Sequence, residues 1–414
     1  VKVFVLNSGS SSVKYKLYEM PDEAVLASGQ VERIGMDDAA VTHRVPGREP
    51  YRVQEEILDH TTAIQRVLGL LTEAHDGAAV LQRIDEIDAV GHRVVHGGEA
   101  FHGSVRVTPA VKRSIRELSE LAPLHNPHNL AGIEAAEELL PGVPQVAVFD
   151  TAFHARMPRH AFLYALPHVL YRRYAVRRYG FHGSSHRYVA ERVRTLLGDG
   201  GTARIITCHL GNGASIAAVQ GDHSIDTSMG FTPLEGLMMG TRSGDVDAGA
   251  LLYVMARENL SLAEADAMLN KHSGVLGISG LASDMREIEE AADAGNETAR
   301  LALEMYAYRI RKYIGAYAAA LNGVDAIAFT AGIGEHSWRV REDVGASLGY
   351  LGAELDPEAN RAARGEALIS TPHSRVRLYV VPTDEEVVIA RDTVAVVTAD
   401  REPVAARRPG ARRG

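Results

Sequence analysis

Two stretches of this chain set a run of small polar residues between β-rich segments. Asn7-Ser8-Gly9-Ser10-Ser11-Ser12-Val13-Lys14 lies between the strand-like runs 2–6 and 13–18. The segment 205–219 does the same: Ile205-Ile206-Thr207-Cys208-His209-Leu210, then Gly211-Asn212-Gly213, then Ala214-Ser215-Ile216-Ala217-Ala218-Val219. Turns of Gly, Ser and Asn let backbone N–H groups approach an anion closely. One such turn can simply reverse the chain. Two, with a further glycine turn at 331–334, point to a polyphosphate gripped by two related halves. Neither hairpin has the spacing of a P-loop or of the dinucleotide fingerprint. Lys14 could reach a phosphate as a point charge, or sit on a strand surface.

Other residues suit the same chemistry. Arg93, in Gly91-His92-Arg93-Val94-Val95-His96-Gly97-Gly98, ends a strand before a glycine pair, and Arg242 lies in Gly240-Thr241-Arg242-Ser243-Gly244-Asp245. A guanidinium framed by small residues suits carboxylate or phosphoryl oxygens, and a surface ion pair is the alternative for each. Asp150 ends an apolar strand, where it could hold Mg²⁺, act as a base or cap the next helix. His182 and His186 have i,i+4 spacing in Tyr179-Gly180-Phe181-His182-Gly183-Ser184-Ser185-His186. Cys ligands and the metalloprotease Glu are missing, so contact of a loop histidine with a small anion is favoured over zinc.

The elements that must position these residues alternate between strand and helix. Strand patterns at 2–6, 13–18 and 24–34 precede a helix at 59–75 capped by Asp59, a strand at 87–95 and a helix at 109–121. A loop with two prolines at 123–129, a helix at 129–140 and a strand at 145–150 follow. The pattern restarts near 203. It continues with a Gly/Met-rich loop at 229–245 and helices at 246–257, 262–271 and 296–321, the last capped by Asn296. A strand at 324–330, a strand at 376–381 and a helix at 385–397 complete it. A mixed sheet covered by helices is expected.

The chain has 414 residues, 46% hydrophobic, enough for more than one core. With 44 Lys and Arg against 53 Asp and Glu, the formal charge of -9 gives no reason to expect nucleic-acid or membrane partners. One cysteine, Cys208, excludes an internal disulfide framework and fits a reducing compartment. No uncharged apolar run approaches the ~20 residues that span a bilayer, and the first residues do not read as a signal peptide. A cytoplasmic protein is expected. The Arg-rich segment 401–414 reads as a disordered tail.

Together these motifs closely resemble the acetate kinase family, within the superfamily of sugar kinases, actin and heat-shock chaperones. Asn7 to Lys14 resembles its first signature and Ile225-Asp226-Thr227-Ser228-Met229-Gly230-Phe231-Thr232-Pro233-Leu234-Glu235-Gly236 its second. His209 to Ser215, Thr330 to Glu335 and Pro382-Thr383-Asp384-Glu385-Glu386 also match. The resemblance implies an α/β fold of two duplicated actin-like (ribonuclease H-like) domains with a nucleotide cleft. The first would be 1–151, with a closing helix 385–398 packed back on it. The second would be 152–384, followed by a basic tail, 399–414.

The same resemblance implies Mg²⁺, replaceable by Mn²⁺, with ATP and acetate as substrates, a homodimer, and reversible formation of acetyl phosphate and ADP. Arg93 and Arg242 would flank the carboxylate and the moving phosphoryl group, with His182 on that group and His125 near it. Asp150, Glu385 and Asn7 would serve the metal. Ser10, Ser12, Lys14, His209, Gly211, Asn212 and Gly213 would contact phosphates. Asp284, Arg286, Gly332 and Ile333 would contact adenosine, and Val95, Leu124, Phe181 and Pro233 the methyl group. Asp384 departs from the usual Asn, as does His336.

That chemistry suits the residues. A carboxylic acid with a pKa of about 4–5 is already a nucleophile at neutral pH, so no strong base is needed. Charge repulsion is the obstacle, and positioned cations address it. Direct in-line transfer is expected, with a phosphorylated Asp150 or Glu385 as the alternative. A noncatalytic nucleotide switch of the same fold would need neither the arginines nor an acid pocket.

Overall fold

The computed structural model describes residues 1–72, 79–198 and 200–401. It divides into two compact units. The first is Val1–Ala152 with the closing helix Glu385–Arg401, and the second is Phe153–Asp384.

In the first unit, β1 (Lys2–Ser8), β2 (Ser12–Glu19), β3 (Ala24–Glu32), β4 (Ala39–Arg44), β5 (Tyr51–Glu55), β6 (Ala89–Val94), β7 (Val105–Arg106) and β8 (Gln145–Phe149) form one sheet, ordered β5-β4-β3-β2-β1-β6-β8-β7. Strand β1 reads as an unbroken apolar run because both its faces are covered: Val3, Phe4, Val5 and Leu6 are fully buried. Strand β2 is antiparallel to it, with Asn7 opposite Lys14 and Ser8 opposite Val13. On its other side β6 and then β8 run parallel. Parallel neighbours need crossovers, and the helices His60–Thr72 and Asn126–Leu139 provide them.

The second unit repeats the order. Strands β9 (Arg204–Leu210), β10 (Ala214–Gln220), β11 (His223–Thr227), β12 (Ala326–Thr330), β13 (Ala367–Leu368) and β14 (Arg377–Val380) are ordered β11-β10-β9-β12-β14-β13. Strands β9 to β11 form an antiparallel meander, and β12 and β14 continue from β9 in parallel. The first unit shows the same meander in β1 to β3 and the same parallel pair in β6 and β8, so the shared core is a duplication. In such sheets ligands collect beyond the carboxyl ends of the parallel strands. Residues after β6, β8, β9 and β12 are therefore placed to meet a ligand.

The closing helix lies on β6, β8 and β1. It buries Val387, Val388, Ile389, Ala390 and Val397. A β-carbon on Gly91 of β6 would stand 2.4 Å from Thr393 Oγ1 and 2.7 Å from Ile389 Cγ2, so only glycine admits the helix this close.

Several expectations shift. The proline loop at 123–129 is partly helix: Asn126–Leu139 starts inside it, with proline in its first turn, where no N–H is missed. Strands β4 and β5 and the helix Gly183–Leu197 lacked a strong enough pattern to be read from sequence. The glycine turn at 331–334, which reads as leading into a helix, is itself the first turn of that helix, Ala331–His336. Asp59 and Asn296 do accept from backbone N–H groups, of Thr62 at 2.8 Å and Ala299 at 2.9 Å. The helix read at 59–75 is seen over His60–Thr72, and 73–75 lie outside the described residues. The closing helix runs to Arg401, so 399–401 are not tail, and 402–414 lie outside the described residues.

Candidate active site

In the first unit, charged side chains gather where β6 and β8 end and the closing helix begins. Arg93 donates to Asp150 through Nε at 3.0 Å and Nη2 at 2.7 Å, the two-pronged geometry a guanidinium offers a carboxylate. Asp150 is buried, and its carboxylate holds Arg93 rather than a helix N-terminus. Burial works against the charge of Arg93, but Asp150, Glu385 and Glu386 outweigh it and hold its pKa above the ordinary value. Burial pushes Glu385 up to about 7, against the pull of Arg93, and the carboxylates of Asp150 and Glu386 add to the rise. The residue as a whole is only half-buried, so this shift reflects the enclosure of its carboxyl group. Lys14, exposed on β2, lowers it slightly, and Lys16 pairs with Glu386 at 3.3 Å.

Two asparagines on one face of Asn126–Leu139 hold this arrangement together. Asn129 donates to Ser8 O at 2.7 Å and accepts from Val95 N at 3.0 Å. Asn126 accepts from His96 N at 3.1 Å and donates to His96 O at 3.0 Å. The end of β1 and the backbone after β6 are thus tied to one helix. A β-carbon on Gly132 of that helix would meet Ser8 Oγ at 2.1 Å, so the hairpin sits directly on it. In the turn, Gly9 N donates to Ser12 O at 2.7 Å and His60 Nε2 donates to Gly9 O at 2.6 Å, while Ser10 is exposed. Asn126, Asn129 and His60 escaped sequence reading, because buried amides and a capping-region histidine carry no spacing signature.

In the second unit, four imidazoles cluster beside the β9–β10 hairpin. His182 adopts a left-handed conformation, φ 56°, just before the helix Gly183–Leu197. Its ring stacks on His209 with centroids 4.0 Å apart. Its Nδ1 lies 2.9 Å from Ser215 Oγ, and His186 Nε2 lies 2.7 Å from the same hydroxyl. The i,i+4 spacing of His182 and His186 therefore places both on Ser215. His154 Nε2 donates to the Phe181 carbonyl at 3.0 Å, so its Nδ1 accepts from Ser224 Oγ at 2.7 Å. Burial lowers the pKa of His154 to about 4 and that of His186 well below its usual value.

Arg242 lies against the hairpin turn. A β-carbon on Gly213 would stand 3.5 Å from Arg242 Nη1 and 3.8 Å from His182 Nε2, so both groups face the space over this turn. Nη1 donates to the Pro233 carbonyl at 3.3 Å. Burial lowers the pKa of Arg242, and among the described residues no carboxylate offsets it. Beside the same turn opens a cleft of about 510 Å³, lined by Gly211, Asn212, Asp284, Arg286, Gly332 and Ile333 among others. Arg286 Nη2 donates to Asp284 at 2.8 Å, and the side-chain and backbone hydrogen bonds of Arg286 hold Asp284 down at about 2. Nothing lies within 4 Å of a β-carbon built on Gly332. Glu335 accepts from Ala331 N at 3.0 Å and Thr383 N at 3.2 Å and so shapes this edge.

The remaining expected residues are placed as follows. Val95 and Phe181 are buried, Pro233 is half-buried, and Leu124 is 64% exposed. His125 precedes Asn126–Leu139, its N–H donating to Ala122 O at 3.0 Å. The structure brings Arg93, Asp150 and Glu385 together in one unit, and His182, His209, Gly213 and Arg242 together in the other.

Two sheets of this shared order define a duplicated actin-like α/β protein. A model of the acetokinase family matches residues 2–391. An acetate kinase of Halothermothrix orenii is 54% identical over 398 residues, covering 96% of this chain and 100% of that protein. The crystal structure of Porphyromonas gingivalis acetate kinase matches with a TM-score of 0.91 at 51% identity, covering 96% of this chain and 99% of that one. A propionate kinase from Francisella tularensis matches with a TM-score of 0.89 at 38% identity, covering 95% and 99%. The chain belongs to the acetokinase family.

Proposed function

We propose that this chain reversibly transfers the γ-phosphoryl group of ATP to acetate, giving acetyl phosphate and ADP. Beyond family membership, the observation that carries this reading is Arg242: a half-buried guanidinium, beside His182 over a glycine turn, with no carboxylate on it among the described residues. A desolvated cation with no carboxylate to neutralise it is poised for an anionic ligand.

On this reading Arg242 and His182 meet the transferring phosphoryl group, with His125 near that group. The turn residues Asn7, Ser10, Ser12, Lys14, His209, Gly211, Asn212 and Gly213 bind phosphates. Asp284, Arg286, Gly332 and Ile333 bind adenosine, for which the 510 Å³ cleft is the support. Arg93 holds the acid's carboxylate, and Val95, Leu124, Phe181 and Pro233 contact its methyl group.

Mg²⁺ keeps several waters and takes one or two carboxylates plus phosphate oxygens. Asp150 and Glu385 fit that need with Asn7 as a neutral oxygen donor, and Mn²⁺ accepts the same donors. Glu385 lies in the field of Asp150 and Glu386, and a divalent cation would offset the negative charge they share. When bound, the metal would neutralise charge on the phosphates. The carboxylate attacks directly and in line, so no enzyme group is phosphorylated.

We place the protein in the cytoplasm, a reading supported by its single buried cysteine, Cys208. Among the described residues no helix is long and apolar enough to cross a membrane. We also propose a homodimer. The helix Ala248–Glu258 buries none of its residues, and Leu252, Tyr253 and nearby Leu262 are exposed. Sedimentation equilibrium showing only monomer would exclude the dimer.

The substrate assignment is tested by kcat/KM for acetate, propionate and butyrate. An apolar pocket separates acids differing by one methylene by roughly 10–200-fold. Acetate should lead, propionate follow and butyrate trail. A preference for butyrate would overturn the assignment.

A further inference from the structure

A fully buried threonine of β9 sets the hydrogen-bond directions around His182. Thr207 of β9 is fully buried, and its Oγ1 lies 2.7 Å from His186 Nδ1. Among the described residues that ring nitrogen is the hydroxyl's one hydrogen-bond partner. A buried O–H with no acceptor costs about 1–3 kcal/mol, so Thr207 must donate to His186 Nδ1. His186 is fully buried and neutral, with a single ring N–H. Since its Nδ1 accepts, the hydrogen is on Nε2, which donates to Ser215 Oγ at 2.7 Å. Ser215, also fully buried, then has its own O–H left for the other neighbour, His182 Nδ1 at 2.9 Å.

We infer that Thr207, His186 and Ser215 form a one-way relay that fixes His182 as an Nε2–H donor. All three are positioning residues. The proton-bearing Nε2 faces the space over Gly213 that Arg242 Nη1 also faces. There it donates to an anion, whereas the opposite tautomer would aim a lone pair at it. A second chain runs the same way: Thr383 donates to Ser185 Oγ at 2.9 Å, and Ser185 Oγ lies 2.7 Å from Nδ1 of His209, the ring stacked on His182.

The inference rests on the placement of His182 at the phosphoryl group for its catalytic consequence, but not for its tautomer. The test is a ¹⁵N–¹H spectrum of histidine-labelled protein at pH 8, with His182 assigned through His182→Asn. The relay requires a protonated Nε2 and a bare Nδ1 on His182. Ser215→Ala should let the Nδ1–H form appear and lower kcat roughly 10-fold or more, since a wrong tautomer disables an otherwise intact site. The KM values for ATP and acetate should hold, and Ser215→Thr, which keeps the hydroxyl, should restore the Nε2–H form. A protonated Nδ1 in the unmodified protein overturns the relay, and this readout stands even if a variant does not fold. So does an unchanged His182 spectrum in folded Ser215→Ala. A shifted tautomer with unchanged kcat instead overturns the placement of His182 at the phosphoryl group and leaves the relay standing.

Discussion

Arg93 and Arg242 are chemically alike and electrostatically opposite. Arg93 is held charged by the carboxylates around it, while Arg242 is desolvated without one. Removing them should therefore fail in different ways. Arg242→Ala should lower kcat at least ~100-fold, because losing one preorganised donor costs about 3 kcal/mol in the transition state. Its thermal stability should hardly fall, since no buried ion pair is broken. Arg93→Ala should raise the KM for acetate and also destabilise the fold by about 3 kcal/mol, because Asp150 is left buried and unpaired. Kinetics and melting curves of both variants check this, and near-normal kinetics in either would remove that arginine from the site. Both arginines were legible in sequence from the small residues that frame them. The partner of Arg93 was not, because Asp150 is distant in sequence and equally readable as a cap.

At the scale of elements, the closing helix matters most. Its side chains fill the face of β6 that Gly91 leaves open, and its first residue brings Glu385 to the end of β6 and β8. Burying each of Val387, Val388 and Ile389 contributes roughly 1.5–3 kcal/mol, an upper figure given residual burial in unfolded chains. A chain ending at 384 should therefore lose activity and the cooperative melting of its first unit. One ending at 401 should keep both. Activity in the shorter chain would refute the role of the helix and of Glu385. Long apolar helices and the hairpin strands were legible because their periodicity is strong. Gly183–Leu197 was not, since it opens on Gly, Ser, Ser and His, residues that read as a loop until tertiary hydrogen bonds to β9 and β10 are seen.

Across the whole molecule, buried neutral histidines link stability to pH in both units. Burial lowers His92 and His154 to about 4 and His186 well below 6.5. In the unfolded chain each takes up a proton near pH 6.5, while the folded protein does not. The unfolded state thus binds more protons below that pH, and stability falls as pH drops from about 6.5 toward 4. Each such histidine contributes about 1.4 kcal/mol per pH unit across that window. Melting temperature should decline steadily from pH 6.5 to 5, before most carboxylates protonate. A flat profile there would contradict the buried, neutral state of these rings. The duplication was partly legible, in two hairpins with similar flanks. The shared order of strands was not, because pairing between strands far apart in sequence leaves no local trace.

The most direct measurement is acyl phosphate formation. Purified protein is incubated with ATP and acetate, with and without Mg²⁺, and the product is trapped by hydroxylamine. Hydroxamate should form only with metal, ATP and acetate together, matched by equal ADP, and should fall at least ~100-fold in Arg242→Ala. ADP released without any hydroxamate, at every acetate concentration tried, would contradict phosphoryl transfer to acetate.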